Sequence, residues 1–329
     1  MEYFERTKRG DDNLKMFSYV LASGLVLCNL VVPGRSGGGN DWSYEGQLGP
    51  AHWSVDYPEC GGFSQSPVDV DTSLVMLDPS LTPFNLTQLS NTANVNMLLE
   101  NVQGHTVEVH LSGDEITVNG GGLDTAYGVQ QFHFHWGAKD ERGSEHTVNG
   151  RHFPMEMHVV MYSKNYTTFN SALTKRRGLS VLGFFFRVGK TNTNYNQLLN
   201  YFDKIEHSED TYSIPTFPIM SLLPENRQGF YRYEGSLTTP PCSETVLWTL
   251  FTETIEVSEE QLEKFRHIKR THLGERDQYA TDVFRPLQPR NSRVVTTNDV
   301  NAIYNNANRI SSDWIYLLLL IVGIISISV

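Results

Sequence analysis

Clustered positive charge is missing from this chain. Lys and Arg number 26 against 37 Asp and Glu, a net charge of −11, and Lys175-Arg176-Arg177 is the only basic triplet. A phosphate-binding surface needs Lys and Arg gathered on one face, so no nucleic-acid partner is expected and the triplet reads as a solvated loop. Cysteine is scarcer still, with 3 in all. Cys28 falls inside an N-terminal apolar stretch expected to be removed. Cys60 and Cys242 remain, and an even number in an oxidising compartment predicts one disulfide closing a very long loop. Internal repeats and low-complexity runs are absent between the termini.

Long apolar runs occur only at the two ends. Met16 to Val32 is uncharged, follows Lys8, Arg9 and Lys15, and precedes small residues from Gly34 to Gly39. Residues 1–36 are therefore expected to be a secretory signal region, with Met16 as an alternative start. A signal anchor competes with this reading, but the stretch is short for a span of ~20 residues. Trp314 to Val329 is uncharged to the last position, behind a polar segment, Asn305 to Asp313. Small residues, a polar spacer and an apolar tail match a glycolipid (GPI) attachment signal over 305–329, with Asn305 as the attachment point. Ser311 and Ser312 compete but leave almost no spacer, and a short membrane span is the other alternative. The sequons at Asn85 and Asn165 fit the same secretory route as glycosylation sites.

Between the ends, residues 37–304 read as one domain. Helical patterns are few, Asn194 to Ile205 and Ser258 to Arg270 being the best, the second opening with a capping-box sequence. Short β-type runs dominate instead: Val107 to Leu111, Gln130 to Trp136, Glu156 to Met161, Val181 to Val188 and Thr245 to Ile255. Turn residues such as Asn119-Gly120-Gly121-Gly122 and Asn149-Gly150 separate them. The run from Val181 is nearly all apolar, which predicts a central strand covered on both faces. The fold class is mainly β with surface helices.

Two of these runs carry the chemistry. On a strand, alternate side chains share a face, so Gln131, His133 and His135 project one way while Phe132, Phe134 and Trp136 project into a core. Glu156, His158 and Val160 likewise share a face. Paired antiparallel, the two strands let three imidazoles converge with Gln131 and Glu156 close behind. Three histidines with one open position are the ligand set of a catalytic zinc site. Gln131 and Glu156 are the acceptors that such imidazoles need for their other ring nitrogens. A lone His-x-His is commonplace; the polar residues two before His133 and two before His158 are what distinguish this one.

From about residue 42 to 293 the chain resembles the α-type carbonic anhydrases. The matching segments include Gly49-Pro50-Ala51-His52-Trp53, Gln65-Ser66-Pro67-Val68, Gln131 to Gly137, Gly143-Ser144-Glu145-His146-Thr147-Val148 and Glu156-Met157-His158. Val181-Leu182-Gly183, Gly235 to Pro241 and Arg285-Pro286-Leu287-Gln288-Pro289 come after them in the same order. The resemblance implies a large, mostly antiparallel twisted sheet and reversible hydration of carbon dioxide to bicarbonate and a proton. It implies Zn2+ on His133, His135 and His158, with zinc-bound hydroxide as the attacking group. Thr238 would orient that group, and Glu145 would accept Thr238's own proton. Val160, Val181, Leu237 and Trp248 would form the apolar wall for carbon dioxide, and Thr239 would hold bicarbonate at the entrance. His105 would be the proton shuttle, its unperturbed pKa of ~6.5 suiting exchange with buffer, and Tyr44 would help order the water chain.

Gln103 and Glu108 stand where many members carry asparagine, and Val283 where asparagine is common, although there the backbone carbonyl holds the second zinc histidine. Cys60, Cys242, the Met-Glu-Met-His strand and the tail resemble the extracellular glycolipid-anchored branch, isozymes IV and XV. That places the site at the outer cell surface, anchored in the membrane, with bicarbonate or proton transporters as partners. A catalytically silent binding module of the same family would be expected to lack a zinc histidine, and all three are present. A zinc esterase shares the site, but the apolar wall suits a small uncharged substrate.

Overall fold

A computed structural model describes residues 42–300. The signal, the attachment segment, Cys28 and Asn305 lie outside the described residues. Eight strands frame the histidine cluster: β1 (Val95–Val102), β2 (Thr106–Gly113), β3 (Tyr127–Trp136), β4 (Met155–Ser163), β5 (Leu179–Val188), β6 (Thr211–Ile214), β7 (Phe230–Gly235) and β8 (Val246–Val257). In space they run β6-β1-β2-β3-β4-β5-β8-β7 within a 12-stranded sheet, whose β7 edge continues into Thr296–Thr297 and Met76–Leu77. Along this path only β5–β8 and the last short pair are parallel. The sheet is mostly antiparallel, as expected.

All five strands read from the sequence form. The apolar run at Val181 becomes β5, flanked by β4 and β8, with its first eight residues buried. β3 and β4 are closed on both faces. Phe132, Phe134, Trp136, Met155, Met157, Val159 and Met161 enter one continuous hydrophobic cluster with Leu182, Phe184 and Phe186 of β5. The alternate residues turn to the opposite face, where the histidines sit. The period-2 alternation of a strand is what separates packing from chemistry here.

The expected helix over 194–205 breaks up. A four-residue helix, Asn196–Leu199, lies between single 3-10 turns at Thr193–Tyr195 and Phe202–Lys204. Asparagine side chains compete for backbone groups, and Asn192 Oδ1 already accepts from Asn194 N at 3.2 Å. The helix after Ser258 spans Glu259–Arg266. Its capping box forms as expected, with Gln261 Oε1 accepting from Ser258 N at 3.1 Å. The basic triplet is not wholly solvated, since Arg176 and Arg177 both pair with Glu234 at 2.7 Å.

Cys60 and Cys242 are joined across 182 residues. Removing that much loop freedom from the unfolded chain stabilises the fold by about 5 kcal/mol in the chain-entropy account. No helix among the described residues is long and apolar enough to cross a membrane.

Candidate active site

Strand register assembles the three histidines. His133 on β3 lies directly opposite His158 on β4. His135 stands one pleat repeat further along the same face. Nitrogens from all three rings fall within 4.8 Å of one another, and His135 and His158 are each only 1% exposed.

Hydrogen bonds fix which nitrogen each ring presents. His133 Nδ1 donates to Gln131 Oε1 at 2.9 Å, His135 Nδ1 to Val283 O at 2.8 Å, and His158 Nε2 to Glu156 Oε1 at 2.7 Å. With the proton of each neutral ring used there, His133 Nε2, His135 Nε2 and His158 Nδ1 hold lone pairs. His158 Nδ1 and His133 Nε2 face each other at 3.3 Å with no proton to share. His135 Nε2 has no hydrogen-bond partner at all. Opposed lone pairs repel unless a cation lies between them. Zinc–nitrogen bonds of ~2.0–2.1 Å in a tetrahedral set separate the ligand atoms by ~3.3 Å, so the residues fit zinc. Burial, reinforced by the neighbouring imidazoles, holds His133 well below the ordinary histidine pKa; burial also lowers His135. Neutral rings are the form that ligates.

Behind them Glu156 is fully used. Oε1 accepts from His158 Nε2 and from His146 Nδ1, both at 2.7 Å, and Oε2 from the backbone N–H of Glu145 and of His146, both at 2.9 Å. Burial alone would raise its pKa, but His146 and His158 hold it well below the usual carboxylate range. His146, Glu156 and His158 could by spacing hold a metal themselves, yet the atoms involved are occupied by one another. The network continues from His146 Nε2 to the Tyr233 hydroxyl at 2.6 Å, on to Ser66 Oγ at 2.8 Å, which accepts from Ser236 N at 3.0 Å. Burial pushes the Tyr233 hydroxyl far above the ordinary tyrosine range, so it stays a donor.

That network ends at the segment bearing Leu237, Thr238 and Thr239. Trp248 Nε1 donates to Ser236 O at 3.0 Å, Leu237 N to Ser243 O at 3.0 Å, and the disulfide at Cys242 closes the turn. Arg285 stitches the other side, its guanidinium donating to Gln65 Oε1, Ser66 O and Cys60 O. Glu145 Oε1 accepts from Arg285 N at 2.8 Å. Its Oε2 carries no hydrogen bond and lies 3.4 Å from His135 Nε2. The expected bond from Thr238 to Glu145 is therefore not formed here, although Thr238 is buried and Glu145 keeps an acceptor vacant.

The apolar residues line up beside the histidines. Val181 on β5 is the register partner of both Val160 on β4 and Trp248 on β8, and all three are nearly fully buried. Trp248 sets its ring edge-on to His158, with centroids 4.8 Å apart. Leu237 and Thr239 are half-buried. His105 comes after a tight turn joining β1 to β2, in which Gln103 and Gly104 take φ of 52° and 69°. Glycine is required at 104 twice over, because a Cβ there would also meet the Arg270 backbone at 2.3 Å. The His105 ring stacks on Trp42 at 3.8 Å, with Tyr44 edge-on at 6.1 Å. Asn85 and Asn165 are both exposed.

Sequence reasoning did not single out His146, Tyr233, Ser66, Ser236 or Arg285 for a role. All but Tyr233 lie within the segments that carry the family resemblance. Their only local signal is a polar residue destined for burial on the site-facing side.

Residues 48–299 match the family described as eukaryotic-type carbonic anhydrase. Human carbonic anhydrase 12 is 40% identical over 226 residues, which cover 68% of this chain and 63% of that relative. Human carbonic anhydrase 7 is 38% identical over 261 residues, 78% of this chain and 97% of the relative. Human carbonic anhydrase 3 is 35% identical over 255 residues, again 78% and 97%.

Proposed function

Because the chain belongs to the eukaryotic-type carbonic anhydrase family and is an enzyme of that class, a lyase, we propose that it hydrates carbon dioxide reversibly with zinc held by His133, His135 and His158. The observation that carries this reading is the convergence of three lone pairs whose other ring nitrogens are all spoken for. When bound, the metal is a Lewis acid that makes hydroxide available near neutral pH. Stopped-flow hydration of carbon dioxide, with and without a zinc chelator, tests it. Turnover indifferent to complete metal removal sinks the reading.

The chain's own residues do the rest. Val160, Val181, Leu237 and Trp248 exclude water and give an apolar molecule a surface to lie against. Glu145 accepts the Thr238 hydroxyl proton through its vacant Oε2, leaving the Thr238 lone pairs to accept from, and so orient, the attacking oxygen. Thr239 holds the bicarbonate product. His105 takes the released proton on its imidazole and passes it to buffer, with Tyr44 ordering the intervening water. His105→Ala slows turnover chiefly in dilute buffer, and added imidazole restores part of the rate. A wild type with ordinary buffer dependence beside a variant that imidazole cannot rescue removes His105 from this role.

The extracellular, glycolipid-anchored placement, and with it the isozyme IV and XV likeness, is supported by the Cys60–Cys242 bridge, which belongs to an oxidising compartment, and by the two exposed sequons. Bicarbonate and proton transporters are the fitting partners for such a surface enzyme. Phosphatidylinositol-specific phospholipase C releases the activity from intact cells. Activity that stays on the cells, with a peptide containing Leu317 to Leu320 recovered from the mature protein, shows a span instead.

A further inference from the structure

On the side of the histidines away from the apolar wall, the same sheet face carries charge. Glu108 on β2 is the register partner of His133, and Glu100 on β1 is the register partner of Glu108. Carboxylates directly opposite each other on neighbouring strands repel. Between them sits His110, its Nε2 at 2.9 Å from Glu108 Oε1 and 3.1 Å from Glu100 Oε2. Burial would lower the pKa of His110, but the two carboxylates push it up to about 10, so the ring is a cation across the physiological range. Glu108, 5% exposed, uses its other oxygen to accept from Gln131 Nε2 at 2.9 Å. Gln131 Oε1 in turn accepts from His133 Nδ1.

We infer that Glu108, braced by His110 and Glu100, sets the hydrogen-bonding direction of Gln131 and through it the tautomer His133 presents to the metal. The inference rests on the reading of the three histidines as a metal site and concerns how that site is kept in order. An amide offers a donor at one end and an acceptor at the other, and either end can face a histidine. A carboxylate only accepts, so the Gln131 NH2 group must turn to Glu108 and its oxygen must turn to His133. The proton of His133 then stays on Nδ1 and the lone pair on Nε2. With the amide reversed, His133 would have to accept at Nδ1 and carry its proton at Nε2, where the metal belongs. His110 Nε2 meets the other oxygen of Glu108 and a Glu100 oxygen at once, so the Glu108 side chain is held from both sides. Glu108 is a positioning residue.

The test uses the zinc-loaded enzyme and its metal-free form. In Glu108→Gln the new amide can meet Gln131 with either end. Zinc loss into excess chelator then speeds up about 10- to 100-fold, the scale of a lost partner behind a metal-bound histidine. In metal-free protein labelled with 15N-histidine, His133 divides between its two tautomers, whereas the wild type shows Nδ1–H alone. Adding Glu108→Gln to Gln131→Ala changes neither readout further, because the intermediary is already gone. If the single variant does not fold, Glu108→Gln with His110→Gln removes the buried cation as well and gives the same two readouts. Wild-type zinc loss with an unmixed Nδ1–H tautomer in Glu108→Gln overturns the inference, as does equal acceleration in the Gln131→Ala background. A wild type that takes up no zinc overturns the metal reading instead, and the tautomer of metal-free His133 still decides the brace.

Discussion

His135→Ala abolishes carbon dioxide hydration and metal uptake together. The other two ligands leave the ion half-coordinated, and the lost Nε2, buried and without a hydrogen bond, is committed to nothing else in the site. Truncation also strips the Val283 carbonyl of its donor, a loss of about 1–3 kcal/mol of stability. His133→Ala and His158→Ala share the functional outcome, because two imidazoles do not complete a tetrahedral zinc site. Metal content by mass spectrometry and stopped-flow rates on folded protein check all three. Full zinc occupancy with near-wild-type turnover in any of them removes that histidine from the ligand set.

Glu145→Gln and Thr238→Ala retain zinc and lose turnover by roughly 10²-fold or more, the scale of one missing preorganised hydrogen-bond group. The glutamine case turns on direction. Oε1 of Glu145 already accepts from Arg285 N, so in Glu145→Gln the amide oxygen of the new side chain keeps that bond. Its NH2 then occupies the place of the vacant Oε2. Thr238 meets a donor where it needs an acceptor, and its own proton swings toward the attacking oxygen it should be accepting from. The double variant is accordingly no worse than Thr238→Ala alone. Additive losses, or zinc depletion that tracks the loss of rate, contradict a role confined to orientation.

The legible part of this fold is whatever alternation can announce. Gln131-Phe132-His133-Phe134-His135-Trp136 states both its faces, and the structure puts the aromatics in the core and the imidazoles together on the other side. β1 alternates as clearly, with Val95, Met97 and Leu99 buried between more exposed neighbours, yet nothing chemical on it draws the eye as the histidine strands do. β7 gives less warning. Phe230 to Gly235 contains Arg232 and Glu234 among aromatics, and Arg232 is buried only because Thr249 Oγ1 and Gly121 O accept from it. The partner that makes such burial tolerable is distant in the chain, so no local pattern shows it. The same holds for Ser66, His146 and Tyr233, joined across a sequence separation of up to 167 residues. The broken helix at 194–205 errs the other way: its apolar spacing is sound, and the asparagines between outweigh it.

The three imidazoles stand in the middle of the sheet, on β3 and β4, with strands hydrogen-bonded on either side. Ligands on loops must be gathered by the ion that binds them, so coordination and chain ordering become a single event. Here the ladder bonds and the aromatic layer beneath have already spent that entropy during folding. An arriving ion meets a finished cradle and has little left to reorganise. With the proposed metal bound, such a cradle would choose among ions by shape, favouring one that accepts three nitrogens at the spacing the sheet dictates, and the strands would keep their order without it.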